Sequence, residues 1–200
     1  MPLHELMVFG YDIYNWLKGE VMVIRILKGF VFMLLLNVLI IGLVVKANDA
    51  NDFQKSFFDI GYKEVNEALK ESESYYKRTI PLPVQIPAVA FTHSFGRLNN
   101  YDGENHDELE IEYVNKDIGI NHYKINIRPM KHKLEFSERH IDHTVKLSDG
   151  SEAIFSTWIQ GFQLLVFEKN DWQYILSIDN RISDMVTQEV LVEIANSIQY

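Results

Sequence analysis

FQLLVFEKNDWQYILSI, Phe162 to Ile178, decides how this chain folds. Two apolar runs, Phe162 to Lys169 and Trp172 to Ile178, flank Asn170-Asp171, a pair suited to the tight two-residue turn of a β-hairpin. With that turn Phe167 opposes Tyr174, Leu165 opposes Leu176 on one face, and Val166 opposes Ile175 on the other, which also carries Leu164. Both faces of the hairpin are then apolar. One can be covered by a C-terminal helix, which Thr187 can cap and which carries Val190, Leu191, Ile194, Ala195 and Ile198 on one stripe. The other needs a second cover, either an N-terminal helix through Phe58, Val65 and Leu69 or a ligand or partner in an apolar groove. Phe162, Leu164, Val166 and Ile175 are the candidate binding residues of that groove.

Upstream of the hairpin the period-two pattern continues. In Glu108 to Val114, ELEIEYV, Leu109, Ile111 and Tyr113 alternate with Glu108, Glu110 and Glu112, and Tyr123, Ile125 and Ile127 alternate in the same way. Each reads as a strand with one wet face. Val145 to Phe155 holds Ser148-Asp149-Gly150-Ser151, turn chemistry between two strand-like halves. Arg78 to Val89, RTIPLPVQIPAV, is too rich in proline for a helix and should run extended over the surface. Asp52 to Tyr76 places Phe58, Tyr62, Val65 and Leu69 at helical spacing and predicts one amphipathic helix, with Gly61 weakening its middle. The whole is an α+β fold: a helix, an antiparallel meander of about six to seven strands and a closing helix.

Further upstream, Gly29 to Val45 carries no charge and only Asn37 as a strongly polar residue. The run suits a short membrane helix or the core of an export signal. Arg25 and Lys28 flank it on one side and Asp49 and Asp52 on the other, so the positive-inside bias puts the following residues across the membrane. Val45-Lys46-Ala47 offers a signal-peptidase cut between Ala47 and Asn48. Residues 1–21 then read as a short cytoplasmic tail, or as lying ahead of a true start at Met22. Residues 22–47 are a signal peptide or single transmembrane helix, and 48–200 an extracytoplasmic domain, tethered or secreted.

Composition limits the partners. Of the formal net charge of −9, the residues before Asn48 contribute +1, leaving −10 after it, which disfavours nucleic acid. With no cysteine the chain has no disulfide, thiolate metal site or Cys nucleophile. The partner expected is a membrane or cell-envelope component, a protein among the options.

The order of IPLPVQIP, ELEIEYVN, KLSDGSEAIF, QLLVFEKNDWQYILSI and TQEVLVEIANSI resembles an uncharacterised extracytoplasmic domain family of spore-forming Gram-positive bacteria. That domain is sometimes found behind the membrane helix of anti-sigma-factor-like proteins. The resemblance spans roughly Arg78 to Ile198 and implies a cell-envelope location without established catalytic residues. Sigma-factor control is not carried over, because the segment ahead of the membrane run is too short for a folded anti-sigma module.

Chemistry-bearing clusters are sparse. His140 and His143 would share a helical face as metal ligands with Asp142 nearby, but on the strand expected there they point to opposite faces. Asp102 to Glu108 is spaced faintly like a calcium loop, yet Asp107 stands where glycine is needed and Tyr113 where glutamate is. Ser94 and Ser151 lack the elbow of a nucleophilic serine. Arg128 to Lys133, RPMKHK, is a basic cluster that reads as a solvated strand end. No catalytic residue, metal or cofactor is assigned, and a non-catalytic binding module is the expected function. The alternatives are an envelope hydrolase using unidentified carboxylates and a structural or inhibitory partner of a membrane protein.

Overall fold

The computed structural model describes residues 51–100 and 107–199 together with Met33. Contacts divide the chain into residues 1–52 and 53–200, and the fold below is that of the second unit. The expected signal or membrane helix over 22–47, its flanks Arg25 and Lys28, and the cut at Ala47-Asn48 lie outside the described residues. Among the described residues no helix is long and apolar enough to cross a membrane.

The fold is α+β with one antiparallel sheet. Its strands are β1 (His93–Asn99), β2 (Glu108–Val114), β3 (His122–Pro129), β4 (His143–Lys146), β5 (Glu152–Ser156), β6 (Phe162–Lys169) and β7 (Trp172–Asp179). The spatial order is β1-β2-β3-β7-β6-β5-β4. This differs from the single meander expected: β1 to β3 and β4 to β7 are two meanders, joined where β3 pairs with β7. The β6–β7 hairpin has the register expected, Phe167 opposite Tyr174, Leu165 opposite Leu176 and Val166 opposite Ile175. Asn170 and Asp171 take φ of 57° and 61°, the left-handed pair that a tight hairpin turn requires.

Two helices, α1 (Val65–Tyr76) and α2 (Gln188–Asn196), cover the first face of the sheet. The main core lies there: Leu109, Ile111, Tyr123, Ile125, Leu165, Phe167, Tyr174 and Leu176 are buried against Ala68, Leu191, Ile194 and Ile198. Each large side chain so buried contributes roughly 1.5 to 3 kcal/mol. α1 approaches β1 so closely at Gly96 that an added Cβ would lie 2.7 Å from the Ala68 Cβ. Thr187 stands at the N-cap of α2, but its hydroxyl bonds Glu189 at 2.6 Å and makes no cap bond.

The helix expected over Asp52 to Tyr76 is broken. Residues 51–59 are helical, Gly61 turns with φ of 93°, and the Lys63 backbone pairs with Gly96 at the sheet edge before α1 starts. The chain thereby passes around β1, so Phe53 and Phe57 lie on the second face and α1 on the first. Phe57 stacks on Phe95 with ring centroids 4.2 Å apart, and Phe53 and Tyr62 complete that aromatic cluster. Val65 and Leu69 pack against the main core, and so do not cover the second face of the hairpin as expected. The proline-rich segment is extended as expected, held by Trp172 Nε1 donating to Thr79 O at 3.2 Å and Tyr174 Oη to Pro81 O at 2.9 Å.

Candidate functional site

The second face of the sheet carries a column of glutamates on β2, a column of cations on β3, and apolar residues on β6 and β7. Alternation along each strand sets these columns, since Glu108, Glu110 and Glu112 face the same way, as do His122, Lys124, Asn126 and Arg128. Antiparallel register then places Glu112 opposite Lys124 and Glu110 opposite Asn126.

The glutamate face is not wet, contrary to expectation. Glu108, Glu110 and Glu112 are 6%, 6% and 7% exposed. Burying charges at these levels is tolerated only when each is paired. Glu108 meets Arg128 at 2.6 Å and Glu112 meets Lys124 at 2.7 Å. Glu110 is within 3.2 Å of Arg97 and 3.5 Å of Lys124. The Tyr62 hydroxyl also touches Glu110 and lies 2.8 Å from Glu112, while Arg97 stacks over the Tyr62 ring at 4.3 Å.

Electrostatics follow from this packing. Burial raises the Glu108 carboxyl above its ordinary range, with Arg128 opposing. Burial acts the same way on Glu112, but hydrogen bonds from His122 and Lys124 and the Lys124 charge outweigh it and hold Glu112 at about 2. Lys124 is raised: burial pulls it down, and its glutamate partners overcome that. Burial, reinforced by Glu110, pushes the Tyr62 hydroxyl far above the usual phenol range. None of the three glutamates lines the groove described next, and so none has a substrate-sized space beside it there.

Between this network and the β6 side runs a groove of about 280 Å³. Its lining includes His122, Lys124, Asn126 and Arg128 from β3, with Leu164, Ile175 and Ser177 beside them and Leu134, Ile159 and Phe162 as walls. The wall at Leu134 comes from the connection between β3 and β4, which crosses the second face. Gln173 pins it, donating to Leu134 O at 2.9 Å and accepting from Leu134 N at 2.8 Å. Leu134 and Phe136 lie on Leu164, Val166 and Ile175, forming a small separate core.

Of the candidate binding residues, Leu164 and Ile175 are buried in the groove floor and Phe162 stands half-buried at its side. Val166 is buried in the adjoining hollow with Phe136 and Ile154. Arg128 stands out among the lining residues that sequence reading missed. It is only 9% exposed, and its Nε and Nη1 are buried without a hydrogen-bond partner. The signal for this face was present in the opposed polar alternation of ELEIEYV and YKINIR, acids on one strand and bases on the next.

The basic cluster RPMKHK is not a solvated strand end. Arg128 is ion-paired, and His132 is 8% exposed with its Nδ1 3.9 Å from Asp107. His140 closes a short 3-10 turn and stacks on Trp158 at 3.9 Å, while His143 begins β4 and bonds Gln188 at 2.5 Å. Among the described residues no three His, Asp or Glu side chains are grouped to hold a metal ion. Ser94 lies in β1 and Ser151 in the β4–β5 turn, bonded to Asp149 at 2.5 Å. Residues 102–106 of the acidic loop lie outside the described residues.

No protein-family model, no curated protein and no solved structure matches this chain.

Proposed function

We propose that this protein is a non-catalytic cell-envelope module, secreted or membrane-tethered, that binds an apolar ligand through the second face of its sheet. The observation carrying this reading is the groove beside β3: apolar along β6 and β7, polar along β3, and left open between two covers. The two helices and the proline-rich segment cover the first face, whereas among the described residues the second is covered at its ends, by Phe53 and Phe57 and by the connection through Leu134 and Phe136. A concave, mostly apolar space with a few fixed polar groups is the ordinary form of a ligand site.

The envelope location rests on the charge asymmetry around Gly29 to Val45 and on a motif order that resembles that of the extracytoplasmic domain family. Full-length protein carrying a C-terminal epitope, produced in a Gram-positive host, should lose the epitope when intact protoplasts are treated with protease, or release it to the medium. Solvent extraction of the purified protein should yield a small apolar molecule. An epitope protected in intact protoplasts would overturn the location, and protein free of any extractable apolar molecule would count against the binding role.

A further inference from the structure

We propose that the domain rests on a lipid bilayer with one rim of its sheet, the rim that carries Ile118, Trp158, Ile159 and Met185. The inference rests on the tethered form of the preceding reading and adds which surface meets the lipid.

Register defines the rim. His93 pairs with Val114, Val114 with His122, Tyr123 with Ile178, Phe162 with Asp179 and Ser156 with Leu164, so the starts of β1, β3 and β6 lie beside the finishes of β2, β5 and β7. The connections that leave there are 115–121, 157–161 and 180–187. Each shows large apolar side chains to solvent: Ile118 is 47% exposed, Trp158 59%, Ile159 45% and Met185 60%. With neighbouring strands roughly 4.8 Å apart, the β2–β3 and β5–β6 connections stand about 14 Å from each other, and Met185 follows β7 between them. The turns 147–151 and 170–171 at the opposite rim carry no exposed large apolar residue. Apolar side chains gathered on one surface mark an interaction site.

These connections are fixed. Asn115 and Asn121, both buried, each donate to Ala90 O at 2.9 Å, and Asn115 Oδ1 accepts from the backbone N–H of Asp117 and Ile118 at 2.9 Å. Asp142 accepts from Thr157 N and Oγ1 at 2.8 Å, and Trp158 lies on His140 with ring centroids 3.9 Å apart. Side chains presented by ordered backbone lose little further freedom when they are covered.

The position of the rim along the chain identifies the occupant. Phe53 packs on His93, the first residue of β1, with ring centroids 4.9 Å apart, so the chain enters the domain at this rim. The apolar run ends at Val45, eight residues earlier. At about 3.6 Å per residue that link spans at most about 29 Å, which keeps the rim within reach of the lipid surface. Tryptophan with aliphatic neighbours suits the interface between head groups and hydrocarbon. The acidic excess after Asn48 gives the domain no net attraction to an anionic surface, so the contact is apolar. His122, Ile159 and Phe162 carry the groove to the same rim.

The test exploits the absence of cysteine, which lets a single introduced one carry a spin label. Full-length protein labelled at Gly119→Cys, Gln160→Cys or Asp184→Cys, exposed positions beside the apolar residues, is reconstituted at low density into phosphatidylcholine vesicles. Lys131→Cys, exposed just beyond the far end of β3, is the reference. Power saturation compares collisions with oxygen, which concentrates in lipid, and with a nickel chelate, which stays in water, and their ratio cancels local crowding. The ratio should be several-fold higher at the rim than at Lys131, and adding phosphatidylglycerol should not raise it. Ile118→Ser, Trp158→Ser and Met185→Ser together should bring the rim down to the Lys131 value while the protein stays in the vesicles. Equal ratios in incorporated protein overturn the inference and leave the tether standing. Protein that does not enter the vesicles overturns the tether and the inference with it. Dipolar broadening between rim labels would assign the patch to a second copy of this chain and overturn lipid as its occupant. Should the triple variant not fold, the ratios in the otherwise unaltered protein decide.

Discussion

Replacing Arg128 with methionine isolates the energetics of the second sheet face. Glu108 and Arg128 side chains are 8% and 11% exposed and meet at 2.6 Å. Removing the guanidinium strands a buried carboxylate, and breaking a buried pair from one side costs about 3 to 5 kcal/mol. Protonation caps that loss. Burial already raises the Glu108 carboxyl while Arg128 opposes the rise. Without the guanidinium the carboxyl climbs further, each unit costing about 1.4 kcal/mol at any pH above it. A raised acid destabilises the fold above its folded pKa and does so less as the pH falls toward its unfolded value. The Arg128→Met penalty should therefore be near 3 to 5 kcal/mol at pH 7 and smaller at pH 5. Paired with Glu108→Gln it should return to within about 2 kcal/mol of the unaltered protein, because the uncompensated charge is gone. Urea unfolding of the four proteins at both pH values measures these quantities. A loss below about 1 kcal/mol with no pH dependence would mean that Glu108 is hydrated, as expected of an exposed pair, and the buried network would be refuted.

Two further outcomes follow from single positions. Gly96→Ala sets a Cβ 2.7 Å from Ala68 and 3.3 Å from the Val65 Cα, so α1 must shift; urea unfolding should show a loss of about 1 to 3 kcal/mol, and an unchanged midpoint would show that α1 does not sit on β1. Glu112, held at about 2 by His122 and Lys124, contributes stability that is present above about 4.5 and is lost as the pH falls toward 2. Glu112→Gln should flatten that part of the acid stability curve, and an unaltered slope would remove Glu112 as its source.

Local pattern carried much of the fold. The register of the β6–β7 hairpin follows from Asn170-Asp171 and two alternating runs, because turn geometry and pleat together leave one pairing. The C-terminal stripe around Leu191 and Ile194 was legible for the same reason, its period matching the helix. What alternation cannot show is the company a polar face keeps. Glu108, Glu110 and Glu112 look like solvent-facing residues until β3 supplies Lys124 and Arg128 and the turn after 51–59 supplies Tyr62, and all of these come from elsewhere in the chain. The break at Gly61 was visible as a weak point, but its role in turning the chain around the edge of β1 depends on the Lys63–Gly96 pairing. Leu134 and Phe136 were likewise unreadable as a cover, since nothing near them in sequence says that the β3–β4 connection crosses the sheet. Around the groove, the apolar character of Phe162, Leu164 and Ile175 was legible in the strand pattern, whereas the cations of β3 were not.

The seam between β3 and β7 has a consequence for how the molecule assembles. Within each meander the partners are near in sequence: Lys169 meets Trp172, and Val114 meets His122. Across the seam Tyr123 must find Ile178, and Pro129 must find Trp172, after everything between them has been laid out. Closing that long excursion costs entropy before any pairing repays it, whereas the hairpins close at once. The two half-sheets are thus natural early units and their union the slow step. The groove lies over that seam, with β3 as one bank and β7 as the other, so it takes shape only where the two half-sheets have joined.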